Sequence, residues 1–327
     1  MGMDRQRRVL ILIPVFNDWD SLALLLTSLD AACQSMNWMA QVLVVNDAST
    51  VPAPTELGST VARLHRIDIL HLLRNLGHQR AIAVGLVYVF EHIPCDAIVI
   101  MDGDGEDRPE DVPMLLAGYE KEKEPKITFA SRRKRLESLR FRFFYHSYRV
   151  LHLLLTGIPV RVGNFSAVPQ SALSTLVVMS ELWNHYSAAV FRSGLPYHSI
   201  PIARGRRLIG KSKMNFPALL AHGLSAISVF NDIVGARLLV LSMLLTALVM
   251  GLIVTVIVLR MVTGLAIPGW ATYTIGFLLV ILAQVLTISF LLALSVVGAR
   301  GGSGFIPLRD GPQFIKRLQR QFPQSHD

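Results

Sequence analysis

Ala97-Ile98-Val99-Ile100-Met101-Asp102-Gly103-Asp104-Gly105-Glu106-Asp107-Arg108-Pro109-Glu110-Asp111 is the stretch on which the reading of this chain turns. Five apolar residues in a row, Ala97 to Met101, fit a strand covered on both faces, as in a parallel sheet. The strand runs straight into Asp102, Asp104, Glu106 and Asp107. Gly103 and Gly105 between them let the backbone turn tightly and approach a ligand closely. Carboxylates this dense repel one another unless a cation shares the site. Hard oxygen donors in a short loop suit Mg²⁺ or Mn²⁺, above all where a substrate phosphate completes the shell. The same residues also suit a solvated acidic turn entering a helix at Pro109, whose N-terminus welcomes negative charge. The stretch by itself fits both readings.

Outward from it, the N-terminal half alternates strand and helix. Val9–Val15 reads as a strand and Asp18–Met36 as a helix with Leu22, Leu25, Leu26 and Leu29 on one face. Gln41–Val45 is a strand that stops at the turn formers Asn46-Asp47-Ala48-Ser49-Thr50. A linker with Pro52 and Pro54 leads to a short helix, then a strand at Ile67–Leu72, the loop Arg74-Asn75-Leu76-Gly77-His78 and a helix from about Gln79 to His92. Beyond the acidic loop come a helix at Pro109–Lys121 and a strand at Ile127–Ala130. This order predicts an α/β fold on a mostly parallel sheet. Ligands of such sheets bind beyond the carboxyl ends of the strands, so the loops at Asn17, Asp47, Arg74 and Asp102 are expected to share one edge. No dinucleotide-type glycine motif follows the first strand and no P-loop occurs. Any nucleotide is therefore expected to be gripped by carboxylates at base and ribose, with its diphosphate held through a metal.

The 327 residues allow one large domain or two smaller ones, and 52% of them are hydrophobic. The net charge of +9 suits nucleic acid, anionic lipid or a phosphorylated substrate. No DNA-binding motif or aromatic-plus-basic RNA signature is present, so nucleic acid is not expected as a partner. Cys33 and Cys95 have neither metal nor redox spacing and read as buried thiols of a reducing compartment. The apolar run after Arg5, Arg7 and Arg8 is short and broken by Pro14, which is not the pattern of a signal peptide.

Pro14-Val15-Phe16-Asn17-Asp18, Val44-Val45-Asn46-Asp47-Ala48-Ser49, Asn75-Leu76-Gly77-His78 and Met101-Asp102-Gly103-Asp104 together resemble the ordered signatures of GT-A-fold glycosyltransferases. The branch resembled contains dolichol-phosphate mannose synthase and bacterial polyprenyl-phosphate sugar transferases. The resemblance covers roughly Val9–Asn231. It implies that Pro14, Phe16, Asp18, Asp47 and Gly77 line the nucleotide pocket, Asp47 meeting the base. It also implies that Asp102 and Asp104 form the Asp-x-Asp metal element, with Asp104 the direct ligand of Mg²⁺ or Mn²⁺. Asn46 stands where the family usually has a first aspartate, and Phe16 where it usually has tyrosine, so the base stays open between UDP- and GDP-linked sugars.

Arg132-Arg133-Lys134-Arg135, with Arg140, Arg142 and Arg149, is the densest positive run. From Glu137 onward, Phe141, Phe144, Tyr145, Tyr148, Leu151 and Leu155 recur at helical spacing, as in an amphipathic helix at an anionic membrane. For most of these arginines a solvated helix face serves as well. Arg132 directly follows a strand and shares the edge of the acidic loop, where arginine suits bidentate phosphate binding. The resemblance implies that Arg132 and Arg135 hold the acceptor's phosphate. Val162-Gly163-Asn164-Phe165-Ser166 resembles the family's Gly-Asp-Phe element with Asn164 in place of aspartate. Asn164 cannot be a general base. A phosphate monoester, whose second ionisation lies near pH ~6, arrives already charged and needs none. Arg207, Ser212 and Lys213, in a second basic loop, match a segment whose residues meet the diphosphate or the acceptor phosphate. A basic patch for lipid headgroups is the plainer reading of that loop. His185, His198 and His222 fit no metal spacing and read as structural.

Phe216–Phe230 reads as an interfacial helix. Leu238–Leu259 and a run from about Ala271 to Val297 carry no charge and exceed the ~20 residues of a bilayer span. Arg300, Arg309, Lys316, Arg317 and Arg320 follow the second run, and only Arg260 lies between the two. Positive-inside reasoning places catalytic domain and tail on the cytoplasmic side of a bacterial inner membrane, as a multi-pass protein. The expected divisions are 1–213, a catalytic domain; 214–235, the interfacial helix; 236–300, a transmembrane hairpin; and 301–327, a basic tail. A homo-oligomer is compatible with all of this. The expected function is inverting transfer of a sugar from a nucleotide-diphosphate sugar to a polyprenyl phosphate. The rivals are transfer to a lipid hydroxyl and a non-catalytic nucleotide-sugar-binding membrane protein.

Overall fold

The computed structural model describes residues 6–120, 125–132, 149–158, 162–203, 205–210, 223–263, 269–301 and 304–322. The chain divides into two compact units. One comprises Met1–Phe143, Val160–Val229 and Gly304–Asp327, and the other Phe144–Pro159 and Phe230–Ser303.

The first unit is built on one sheet. Its centre is β1 (Arg7–Val15), whose apolar run is buried from Val9 onward. β1 is parallel to β2 (Trp38–Asn46) on one side and to β4 (Ala97–Ile100) on the other, and β3 (Arg66–Leu72) is parallel to β2. Beyond β4 lie β6 (Ser166–Pro169), antiparallel, then β5 (Ile127–Arg132) and β7 (Tyr197–Ile202), and with β8 (Ile315–Phe322) at the other edge the order is β7-β5-β6-β4-β1-β2-β3-β8. Apolar residues alternate between two layers, as the pleat requires. Val9, Ile11 and Ile13 pack on α1 (Trp19–Ala32) through Leu22, Leu25, Leu26 and Leu29. Leu10 and Leu12 pack on α2 (His78–His92) through Ile82 and Leu86. A Cβ on Gly85 would come 2.8 Å from Val45, so this glycine lets α2 settle on the sheet. Further helices are α3 (Val112–Glu120), entered through a single 3₁₀ turn at Pro109–Asp111, α5 (Gln170–Leu176), α6 (Tyr186–Ser193) and α7 (residues 223–228). The short helix expected between Pro54 and Ile67 does not form, and residues 55–60 are turns.

Residues 301–327, expected as a separate basic tail, correct that reading. Pro307–Asp310 is a short helix, and Ile315–Phe322 is a strand, β8, antiparallel to β3 at the sheet's edge. β3 would otherwise present an unpaired edge.

In the second unit, α4 (residues 149–156) and two 32-residue helices, α8 (Asn231–Val262) and α9 (Trp270–Gly301), are described. α8 and α9 run along one another. Ser242, Val249, Ile253 and Val256 form the buried stripe of α8. Leu241, Met243, Leu244, Leu248, Phe277, Phe290 and Leu291 stand exposed. Helices this long and this apolar on their outer faces meet the requirement for crossing a bilayer. Arg237 donates to the Leu154 carbonyl at 2.7 Å, joining α8 to α4.

Candidate functional site

The carboxyl ends of the parallel strands gather the site. Asp47 N–H donates to the Val15 carbonyl at 2.9 Å, and Met101 N–H to the Leu12 carbonyl at 3.1 Å. The loops after β1, β2 and β4 thus leave the sheet side by side. Pro14 is buried at the end of β1 and Phe16 is exposed beyond it. Gly103 passes close over β1: a Cβ there would lie 3.3 Å from both Ile13 and Val15.

The acidic loop holds its own shape and receives a second loop. Asp107 accepts from Asp102 N–H at 2.9 Å, and Asp104 Oδ1 from Glu106 N–H at 2.9 Å. The loop 205–208 then docks on it: Gly205 N–H donates to the Glu106 carbonyl at 2.9 Å and Leu208 N–H to the Asp104 carbonyl at 3.0 Å. Gly105 has φ 86°, and Gly105 and Gly205 face each other so closely that a Cβ on Gly205 would collide with the Gly105 carbonyl. This docking aims Arg207 across the site. Its Nη1 donates to Asp104 Oδ2 at 3.1 Å, its Nη2 to Asp18 Oδ2 at 2.8 Å, and its Nε to the Ile209 carbonyl at 3.0 Å. Asp18 precedes α1 without capping it, so its carboxylate is committed to Arg207 instead.

Burial, with Asp102 and Glu106 adding like charge, raises the Asp104 pKa against the opposing pull of the Glu106 amide and Arg207. Burial also raises that of Asp47, against its hydrogen bonds and the charges of His78 and Arg74. Asp47 is 3% exposed and accepts from Leu76 N–H at 2.7 Å and Gly77 N–H at 2.9 Å. Here the structure adds to the expectation: this carboxylate fixes the turn at Gly77, whose φ is 88°.

One residue of the candidate site is not marked in the sequence. His78, the first residue of α2, lies with Nε2 3.2 Å from Asp102 Oδ1 and 3.0 Å from Asn164 Nδ2. Asn164 is oriented by buried Gln79, which donates to Asn164 Oδ1 at 3.3 Å and accepts from Tyr186 N–H at 2.7 Å. The protein packed round His78 opposes its protonation. Asp102, with Asp107 and Asp104 behind it, outweighs this and raises its pKa. His78 stood in a quoted motif, but nothing in its spacing marked contact with Asp102.

Asp18, Asp47, Gly77, Asp102, Asp104, Asn164 and Arg207 therefore lie along one sheet edge. Arg132 ends β5, and nothing further is described of it. Arg135, Ser212 and Lys213, like the aromatic residues from Phe141 to Tyr148, lie outside the described residues. Among the described residues no group of three His, Cys, Asp or Glu side chains could hold a metal ion. Asp102 and Asp104 fit a Mg²⁺ or Mn²⁺ site of the kind that substrate phosphates complete, rather than an all-protein cage.

A mixed sheet with helices on both faces and an acidic loop at its strand ends defines a sugar-transferase architecture, GT-A-like. The chain belongs to glycosyl transferase family 2, whose model matches residues 10–177, and is a glycosyltransferase. It is 26% identical over 330 residues to the undecaprenyl-phosphate 4-deoxy-4-formamido-L-arabinose transferase of Salmonella paratyphi A, covering 98% of this chain and 95% of that protein. It is 23% identical to CsbB of Bacillus subtilis, covering 95% and 92%. Among solved structures, the fold is that of Mycobacterium tuberculosis glucosyl-3-phosphoglycerate synthase in complex with Mn²⁺, UDP and phosphoglyceric acid. The TM-score there is 0.51 at 14% identity, with 70% of this chain and 79% of that one covered.

Proposed function

We propose that the protein transfers a sugar, with inversion, from a nucleotide-diphosphate sugar to a polyprenyl phosphate of the undecaprenyl type. The observation that carries this is the Asp18–Arg207–Asp104 bridge at the carboxyl edge of the sheet, beside Asp102, His78 and Asn164. The nearly full-length likeness to an undecaprenyl-phosphate sugar transferase supports the acceptor, and a GT-A-like neighbour crystallised with UDP and Mn²⁺ supports the donor.

The nucleotide enters over Pro14, Phe16 and the loop 46–51, with the Gly77 turn held in place by Asp47. The diphosphate lies toward Asp104, and Arg207 turns from Asp104 to the phosphate oxygens, for which its planar fork is suited. Mg²⁺ or Mn²⁺ at Asp104, supported by Asp102, would neutralise charge developing on the leaving diphosphate. A lipid phosphate oxygen attacks the anomeric carbon as the bond to the diphosphate breaks, and the electron pair leaves on the diphosphate. No proton need be removed, in keeping with an amide at Asn164. Arg132, Arg135, Ser212 and Lys213 are proposed to hold the acceptor phosphate. α8 and α9 are proposed to span the inner membrane, with the sheet domain on the cytoplasmic side, and an acceptor bound at the site gains much of its rate from proximity.

The acceptor is tested with detergent-solubilised protein, Mn²⁺, labelled UDP- and GDP-sugars, and either undecaprenyl phosphate or diacylglycerol. Label in the polyprenyl lipid alone is expected. Label in diacylglycerol would refute the acceptor, and nucleotide binding without any product would refute catalysis.

A further inference from the structure

The strand that follows the apolar helices reaches the candidate nucleotide loop through side chains alone. Gln321, 6% exposed, donates to the carbonyls of Pro54 at 3.0 Å and Thr55 at 2.8 Å. Its oxygen therefore faces Gln319, whose Nε2 donates to it at 3.3 Å. Gln319 Oε1 is then an acceptor, 3.0 Å from His71 Nε2, and takes a second bond from Arg317 at 3.3 Å. On the other side of the ring, His71 Nδ1 lies 3.0 Å from Asn46 Nδ2, and Asn46 Oδ1 accepts from Ser49 N–H at 2.9 Å. Backbone carbonyls fix the polarity at one end and a backbone N–H at the other. Only one arrangement satisfies every member: neutral His71 with its proton on Nε2.

The far end of this chain shapes the loop. Ser49 Oγ accepts from Asn17 N–H at 3.0 Å, and Asn17 Oδ1 accepts from Thr50 N–H at 2.9 Å and Val51 N–H at 3.0 Å. Asn17 and Ala48 both have positive φ, 58° and 53°, a conformation that side chains other than glycine hold only under constraint. Asn46 is 6% exposed and both polar atoms of its side chain are engaged within the chain, so its reach to a ligand runs through the loop.

We infer that Gln319 and Gln321 of the C-terminal strand, acting through His71 and Asn46, are positioning residues for the nucleotide-binding loop 46–51. The inference rests on the donor reading above. An aspartate at position 46 would lack the donor that neutral His71 requires, so the amide there belongs with His71 and Gln319 as a set. Burial lowers the His71 pKa, against the pull of the Gln319 hydrogen bond, which favours the proton. The charged groups bearing on the ring, Arg317 and Lys316 of β8, add to the lowering, while its partner on β2, Asn46, is uncharged. The chain is therefore closed at neutral pH and opens only as pH falls through that lowered value. Protonated His71 would set an N–H against the amide N–H of Asn46.

Two variants of the full-length protein test this, Gln319→Leu and Gln319→Glu. Hydrogen exchange without nucleotide is expected to rise in loop 46–51 of Gln319→Leu while β3 stays protected. UDP or GDP binding in the presence of Mn²⁺, by calorimetry, is expected to weaken about tenfold, the effect of roughly one lost hydrogen bond. The donor KM should rise with kcat little changed. Gln319→Glu keeps the acceptor for His71, gives up the donor to Gln321 Oε1 and favours the ring's cation. Its affinity should fall below the parent's, and further below it at pH 6 than at pH 8.5. Unchanged loop exchange in Gln319→Leu, or a Gln319→Glu variant indistinguishable from the parent at both pH values, would overturn the inference. Failure of the parent to bind either nucleotide would overturn the donor reading. The exchange experiment would still decide the relay.

Discussion

Arg207 sets its Nη1 3.1 Å from the Oδ2 of Asp104, so a cation carried by the chain itself rests against the carboxylate proposed to hold a divalent ion. The guanidinium also neutralises Asp18, and both carboxylates are largely covered. Replacing Arg207 with Met is expected to raise Mn²⁺ affinity without nucleotide by roughly tenfold, a Coulomb effect discounted for partial exposure. Mn²⁺ electron paramagnetic resonance reads it. Sugar transfer should fall by about a hundredfold in the same variant, because the diphosphate loses a charge-assisted donor. Unaltered or weaker Mn²⁺ binding would remove the proposed exchange between arginine and metal.

Asp104→Asn keeps an oxygen for the Glu106 amide and removes a charge that is buried beside Asp102 and Glu106. Burial beside Asp102 and Glu106 disfavours the charge that asparagine removes, which offsets the loss of the Arg207 ion pair. Thermal unfolding is expected to stay within about 2 °C of the parent, while transfer disappears. A large drop in Tm would make Asp104 a structural residue.

Burial raises the pKa of Asp47 as well, but there the hydrogen bonds decide what losing the carboxylate does. Both oxygens accept backbone N–H groups, and an amide there would turn an NH₂ toward one of them. Asp47→Asn is expected to destabilise the protein by about 2 kcal/mol in denaturant titrations and to weaken nucleotide binding. Full stability with weakened binding would mean that Asp47 meets the nucleotide alone.

Asn164→Asp tests the acceptor side. Aspartate can still accept from Gln79, and its second oxygen would meet His78 Nε2. The added charge lies near an anionic acceptor, so the KM for undecaprenyl phosphate is expected to rise between about threefold and tenfold, with kcat little changed. A fall in that KM would place the lipid phosphate elsewhere.

Much of the sheet was legible because β1 to β4 are apolar runs that stop at turn formers, and because parallel strands send their following loops to one edge. The acidic loop was legible as carboxylates at a strand's end, and Asp18, Asp47 and Arg207 drew notice through the family resemblance. Three features were not. β8 reads Ile315-Lys316-Arg317-Leu318-Gln319-Arg320-Gln321-Phe322, too polar to announce a strand. It becomes one by completing the free edge of β3, a tertiary effect. His78 reaches Asp102 only because α2 begins beside the loop after β4, and no local pattern encodes that meeting. β6, four residues long and antiparallel, was hidden by its brevity.

The central claim is that Asp104 and a divalent ion carry the leaving diphosphate while a lipid phosphate attacks. It is tested most directly by measuring sugar transfer to undecaprenyl phosphate by purified parent and Asp104→Asn, each with Mn²⁺ and with EDTA. The account predicts labelled lipid only from the parent with Mn²⁺. Equal product from the variant, or from the parent in EDTA, would contradict it.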